Sequence, residues 1–197
     1  MYPLIGSEHC MLNSLQKIDI KILDYIDRYL RCSLLDKIMP IITDLGNGGI
    51  VWIILSIYLA QSKYFRIEGY MVITSLILTT IIGEGIIKHL IRRTRPYSRM
   101  SQNKLLITRP ITYSFPSGHA ASSFAVAGIF IMMNSNISIF ITVLASLIAF
   151  SRLYLNVHYI SDVLFGVILG IMCSIVVVSI FSSGFKGYIL HFSKIIY

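Results

Sequence analysis

Three short clusters carry most of the reactive side chains of this chain. The first is Lys88-His89-Leu90-Ile91-Arg92-Arg93-Thr94-Arg95-Pro96, the second Pro116-Ser117-Gly118-His119, and the third Ser151-Arg152 with His158 and Asp162. Phosphoryl transfer is mainly positioning plus stabilisation of charge on the equatorial oxygens. Lys88, Arg95 and Arg152 suit that task, the arginines through a planar fork that matches phosphate. On a helix, Lys88 and Arg95, seven residues apart, face the same way. Ser117 and Gly118 stand where a helix begins, so free N–H groups and the positive end of the helix dipole point at an anion. Glycine there lets backbone approach a ligand closely. His158 and Asp162 are four apart, one helical turn, so the carboxylate can hold one ring nitrogen while the other attacks phosphorus. His119 then remains to protonate the leaving oxygen and afterwards to activate water.

Such residues need elements to position them, and the charge pattern marks these out. The 197 residues are 55% hydrophobic and 13% charged, with a mean hydropathy of +0.75, too little charge to cover a soluble domain of that size. Uncharged stretches read as membrane crossings, because an ionised side chain at mid-bilayer costs about 2.5–3.5 kcal/mol. Residues 46–62, 69–83 (whose helix continues through Lys88), 120–151 and 163–185 qualify, and 120–151 divides at Asn134-Ser135-Asn136 into two short spans. The expectation is an all-α, multi-spanning transmembrane helix bundle with five spans. In 18–35, Ile22, Ile26, Tyr29 and Leu30 recur at helical spacing while Lys21, Asp24, Asp27, Arg28 and Arg31 take the other positions. That pattern predicts an amphipathic helix lying on the membrane. A sixth crossing in 34–45, broken by Asp36, Lys37 and Asp44, stays open. The chain then divides into an amphipathic N-terminal segment, 1–45, a transmembrane core, 46–185, and a short basic tail, 186–197.

With five crossings, the second span ends, the third begins, the fourth ends and the fifth begins on one side, so the three clusters meet at one surface site. The net charge of +8 raises nucleic acid as a partner. Seven of the basic residues, however, fall within 88–109 between apolar segments, which fits a local anion site or membrane-surface contact and not a nucleic-acid face. Cys10, Cys32 and Cys173 are far apart and read as apolar fillers, with neither a disulfide framework nor a metal spacing. The N-terminus carries Glu8 and His9 and lacks a basic region followed by an apolar run, so no signal peptide is expected. His9 and His89 have no matched partner. Arg92, Arg93 and Arg99 read as a basic collar at the headgroup boundary with snorkelling stems. Glu84, one turn before Lys88, is placed to pair with it, and a structural role is expected.

The spacing Lys88…Arg95-Pro96, then Pro116-Ser117-Gly118-His119, then Ser151-Arg152…His158…Asp162 resembles the three signature segments of the type 2 phosphatidic acid phosphatase superfamily, complete and in order. The helical layout over 46–185 is similar to the membrane branch of that family. The resemblance implies a phosphatase that works through a phosphohistidine with no metal and no cofactor. By position, it makes His158 the nucleophile, Asp162 its orienter and His119 the acid, with Lys88, Arg95, Ser117, Gly118 and Arg152 as phosphate ligands. It implies a membrane lipid phosphate as substrate and the bilayer as surroundings. The compact chain resembles bacterial enzymes that hydrolyse undecaprenyl diphosphate to undecaprenyl phosphate; similar small proteins act on phosphatidylglycerophosphate, phosphatidic acid or the phosphates of lipid A.

Sidedness draws two answers. Five basic residues in 17–37, seven in 88–109 and Arg152 fall on the side of the site, against Lys63, Arg66, Lys186 and Lys194 opposite, which points to the cytoplasm. The bacterial relatives that resemble this chain work on the outer face, and the expectation follows them: a multi-pass cell-membrane protein with an extracytoplasmic site. Two other classes compete. A related vanadate-dependent haloperoxidase is typically soluble, which the uncharged spans oppose. A non-catalytic anion-binding or transport protein needs neither His158 nor Asp162. No motif speaks to oligomeric state.

Overall fold

A computed structural model describes residues 6–99 and 105–196, and among them the chain is helical without a strand. Helix α1 (Gly6–Tyr25) runs into a π-helical turn (Ile26–Leu30), and α2 (Ser33–Leu45) follows. Next come α3 (Ile50–Gln61) and α4 (Arg66–Thr80), the latter continuing through a π-helical stretch (Ile81–Ile87) into the short α5 (Lys88–Ile91). The remaining helices are α6 (Gly118–Met132), α7 (Ser138–Tyr154) and α8 (Ile160–Ile196).

Helices α3, α4, α6, α7 and α8 lie where the five uncharged stretches do, but they are unequal as crossings. Two, over Arg66–Ser98 and Ile160–Ser183, are long and apolar enough to span a bilayer, and a third qualifies if Ser33–Leu45 and Asn47–Gln61, bent by 45°, count as one. With 15 and 17 residues, α6 and α7 measure about 22–26 Å at 1.5 Å per residue, short of a hydrocarbon core of about 30 Å. The bend falls at Gly46-Asn47-Gly48-Gly49, where Gly48 and Gly49 take φ of 58° and 67°, a left-handed conformation that glycine adopts without Cβ strain.

The amphipathic helix expected over 18–35 breaks at Arg31 and Cys32, both extended, so Leu34 and Leu35 belong to α2. The reason is tertiary. The Cys32 N–H donates to the Tyr154 hydroxyl (3.3 Å), which donates to Asp36 (2.7 Å), tying the break to the end of α7. Leu23 and Ile26 of this segment are buried with Met39 against Leu153, Tyr154 and Val157, so the N-terminal helices cap the α7–α8 turn.

At the centre stands α6, with Ala120, Ala121, Ala125, Val126, Ala127, Ile129 and Phe130 buried. Its run of small residues lets α8 come very close: a Cβ on Gly166 would lie 2.6 Å from the Ser117 carbonyl oxygen, and one on Gly170 would lie 2.7 Å from the Ala125 nitrogen. Small residues four apart on one face are a packing device of helices in lipid, where close backbone approach replaces the hydrophobic drive. Trp52 Nε1–H donates to Ser123 Oγ (3.1 Å), fastening α3 to α6.

Candidate active site

A cavity of about 660 Å³ opens between the α2–α3 turn, the α4–α5 end, the 107–112 loop and the start of α6, and Lys88, Arg95, Gly118, His119, Arg152 and His158 line it. Ser117 and Asp162 stand just behind that lining, both fully buried. The structure therefore brings all eight positions singled out in the sequence to one place.

The route by which Lys88 and Arg95 meet differs from the helical one expected. The helix stops at Ile91, Arg92 takes a left-handed φ of 49°, and Arg95 arrives on a loop. The Arg95 guanidinium is then fixed by the Thr112 carbonyl (2.7 Å), the Val157 carbonyl (2.9 Å) and the Tyr113 carbonyl (3.1 Å). Arg152 donates to Thr43 Oγ1 (2.5 Å) from the last turn of α7. Among the described residues neither arginine has a carboxylate in ion-pair contact, and Arg152 Nε and Ser117 Oγ have no hydrogen-bond partner. Buried cations and donors left in this state favour an anion strongly. The donors are cationic and hydroxylic, which suits phosphate oxygens and not a divalent cation. Lys88 Nζ, by contrast, holds both Glu84 oxygens at 2.6 Å, the pairing expected from their spacing. That carboxylate lies against the start of α6, where a Cβ on Gly118 would come within 3.3 Å of Glu84 Cδ.

The two histidines differ in what faces their ring nitrogens. Arg95 Nη1 lies 3.1 Å from His158 Nε2. A guanidinium only donates, so Nε2 carries the lone pair and Nδ1 the proton. Nδ1 faces Asp162 Oδ2 at 3.7 Å, an ion-pair distance but longer than the hydrogen bond expected from the four-residue spacing. The reason is that His158 precedes α8, while Asp162 sits in its first turn and reaches back to the Tyr159 N–H (2.9 Å) as a helix cap does. Ser114 Oγ donates to the same oxygen (2.5 Å), and Arg93 Nη1 donates to the other (2.5 Å). Burial pushes the His158 imidazolium down to about 3, with Arg95 and Arg152 adding to the effect and Asp162 opposing it. On the opposite wall, Asn47 donates to Asp44 (2.9 Å) and so presents its carbonyl oxygen to His119 Nε2 (2.9 Å). A Cβ on Gly46 would lie 2.6 Å from the His119 ring, so glycine is what lets the ring sit there.

Several participants escaped the sequence reading. Arg93 does not join the headgroup collar expected for it and turns inward to Asp162, Ser161 and Asp19. Thr43 and Asn47 reach the cavity from the N-terminal third, and only the glycine-rich turn at 46–49 hinted at a close approach there. Nothing in the local sequence marks Asp19 or Ser114.

A helical fold built round a cationic cavity lined by two histidines suits a phosphohydrolase. The chain belongs to the PAP2 superfamily, whose match covers residues 68–185, and it is a phosphatase. It is 29% identical over 158 residues to the undecaprenyl-diphosphatase of Sulfolobus acidocaldarius, covering 79% of this chain and 75% of that one. Aquifex aeolicus LpxE superposes with a TM-score of 0.72 at 26% identity, over 82% of this chain and 95% of its own. The transmembrane PAP2 type phosphatidylglycerolphosphate phosphatase of Bacillus subtilis shares the fold, with a TM-score of 0.68 at 24% identity over 90% and 88%. Its long apolar helices point to a membrane location.

Proposed function

We propose that this phosphatase hydrolyses the phosphate of a membrane lipid, with undecaprenyl diphosphate converted to undecaprenyl phosphate as the leading reaction. The observation that carries this reading is the two-sided cavity. Its cationic end holds Lys88, Arg95 and Arg152, while Ile53, Ile73, Leu76, Ile77 and Ile81 of α3, α4 and the π-helical stretch form an apolar wall beside it. An amphiphile with an anionic head and a hydrocarbon tail matches both. The likeness to an undecaprenyl-diphosphatase supports the polyprenyl choice. In this reading α3, α4, α6, α7 and α8 make five crossings, and the site opens on the extracytoplasmic face.

In the first step, the lone pair of His158 Nε2 exchanges its contact with Arg95 for phosphorus, and the bond from phosphorus to the leaving oxygen breaks as His119, in its imidazolium form, gives that oxygen a proton. Lys88, Arg95, Arg152, Ser117 Oγ and the N–H groups at the start of α6 hold the equatorial oxygens. In the second step, His119 takes a proton from water, which attacks the phosphohistidine and frees phosphate. Asp162 orients His158 through the Nδ1 side.

With the imidazole neutral down to about pH 3, the free enzyme's kcat/KM should show no limb from His158 between pH 5 and 8. An acid limb near 6.5 that stays put when substrates of different phosphate pKa are exchanged would argue against His158 as nucleophile. The same shift sets a stability trend. The unfolded ring binds its proton near 6.5, so this group's contribution to stability is complete above that pH and is lost as the pH falls toward 3.

Glu84 competes for Lys88 in this scheme. Replacing it by glutamine (Glu84→Gln) is expected to tighten inhibition by inorganic phosphate or vanadate about fivefold, as suits a part-exposed pair worth ~1 kcal/mol. An inhibition constant that weakens instead would assign Glu84 to holding Lys88 in place.

The deciding assay is phosphate release by the detergent-purified protein with chelator present, offered undecaprenyl diphosphate, phosphatidylglycerophosphate and phosphatidic acid. Release that survives chelator and is fastest from undecaprenyl diphosphate is the expected result. Faster release from another lipid would replace the substrate, and release lost with chelator would overturn the metal-free mechanism.

A further inference from the structure

Among the buried polar groups the reaction scheme leaves unused is Asp19, on α1, beyond the region matched by the family. It is 1% exposed. Its Oδ1 accepts the Ser161 N–H (3.0 Å), an otherwise unsatisfied donor of the first turn of α8. Its Oδ2 accepts the Ser161 hydroxyl (2.7 Å) and Arg93 Nη2 (2.6 Å). The other nitrogen of the same guanidinium, Nη1, binds Ser161 Oγ (2.7 Å) and Asp162 Oδ1 (2.5 Å). The Arg93 guanidinium also lies 4.1 Å from the centre of the Tyr159 ring, which holds the fork in plane. Two buried carboxylates thus share one cation, and only one of them faces His158.

We propose that Asp19 is a positioning residue for the reaction: by holding one nitrogen of Arg93 it limits that side chain to a single bond with Asp162, which keeps the guanidinium off the Asp162 oxygen that faces His158 and orients the ring. This inference rests on the reading of His158 as nucleophile. Asp162 Oδ2 already accepts from Ser114 and Tyr159 while it faces His158 Nδ1 at 3.7 Å. A guanidinium released from Asp19 is able to take both Asp162 oxygens as a fork. That would swing the carboxylate off its present line to the imidazole. Neutralising Asp19 therefore acts on the orientation of His158 and not on the phosphate-binding cations. The N-terminal helix becomes a clamp on the orienting carboxylate, reaching it through Arg93, 74 residues along the chain from Asp19.

The test compares Asp19→Asn, Asp19→Glu, Arg93→Lys and the double variant Asp19→Asn/Arg93→Lys in the full chain, with thermal unfolding alongside and the fastest lipid of the panel as substrate. Asp19→Asn should lower kcat about tenfold, in keeping with the cost of sub-ångström misplacement, while KM stays within about twofold. Arg93→Lys, which keeps the charge but not the fork, should match it, and Asp19→Glu should recover part of the loss. The double variant should be no worse than the worse single one, because both break one link. Unchanged kcat in Asp19→Asn, a loss that tracks melting temperature with KM rising in step, or additive losses in the double variant would each overturn the proposal. Should Asp19→Asn fail to fold, Arg93→Lys decides alone, by the same split of kcat from KM. A His158→Ala arm separates the two readings: activity surviving there removes the nucleophile assignment itself. Activity lost there but intact in Asp19→Asn removes only the role of Asp19.

Discussion

His158→Ala should reduce phosphate release by at least about a thousandfold, the scale on which loss of an activated nucleophile acts in enzymes that form a covalent intermediate. The ring is 1% exposed, makes one contact with Arg95 and none within hydrogen-bond distance on its Nδ1 side. Removing it leaves a small cavity behind the site but breaks no helix, so the variant should still fold, and it should still bind inorganic phosphate through Lys88, Arg95 and Arg152. Wild-type protein given labelled substrate and quenched in alkaline detergent should carry an alkali-stable, acid-labile phosphate that the variant lacks. Release that persists in the variant would hand the reaction to another group, and binding without release in both proteins would favour an anion-binding or transport role.

The second large effect lies away from the chemistry. Gly166→Val should destabilise the protein by roughly 3 kcal/mol, the upper end for overpacking, and lower turnover by about a hundredfold. An added Cβ at Gly166 meets the Ser117 carbonyl oxygen at 2.6 Å, the Ala120 Cβ at 3.1 Å and the Ala121 nitrogen at 3.3 Å. Two of these are backbone of the helix that carries His119, so no side chain can rotate aside. The strain must separate α6 from α8, and the α8 end is anchored to the site by Asp162 and by the Ser117 N–H bond to the Asp162 carbonyl (3.1 Å). The melting temperature in detergent and the turnover number should fall together. A variant with wild-type melting and rate would mean that α8 shifts freely along α6 without disturbing the site.

Much of the site was legible because the chain is poor in charge. Against long uncharged stretches, Lys88, Arg95, Arg152, His158 and Asp162 stand out, and Pro-Ser-Gly-His at a helix start carries its own meaning. Helices fall at each uncharged stretch for the same reason, although α6 and α7 are shorter than the reading of five spans required. The structure departs from local periodicity at two points. Lys88 and Arg95 do not share a helix face, since Arg92 turns left-handed between them. His158 and Asp162 do not share one either, because α8 begins between them at Ile160. Arg93 resembles its neighbours Arg92 and Arg99 in sequence, and carboxylates 74 positions earlier and 69 positions later distinguish it.

The sequence by itself determined the class of chemistry and the membrane setting. Both follow from residue type: a side chain keeps its charge, its donors and its aversion to lipid wherever the chain takes it. Tertiary structure alone decided which groups touch. Glycines at 166 and 170 let α8 close on α6, Gly46 admits the His119 ring, and the buried carboxylates of Asp19 and Asp162 meet on the part-buried Arg93. Contacts of this kind depend on distances of a few tenths of an ångström between segments far apart in sequence. They arise from packing, which no spacing along the chain encodes.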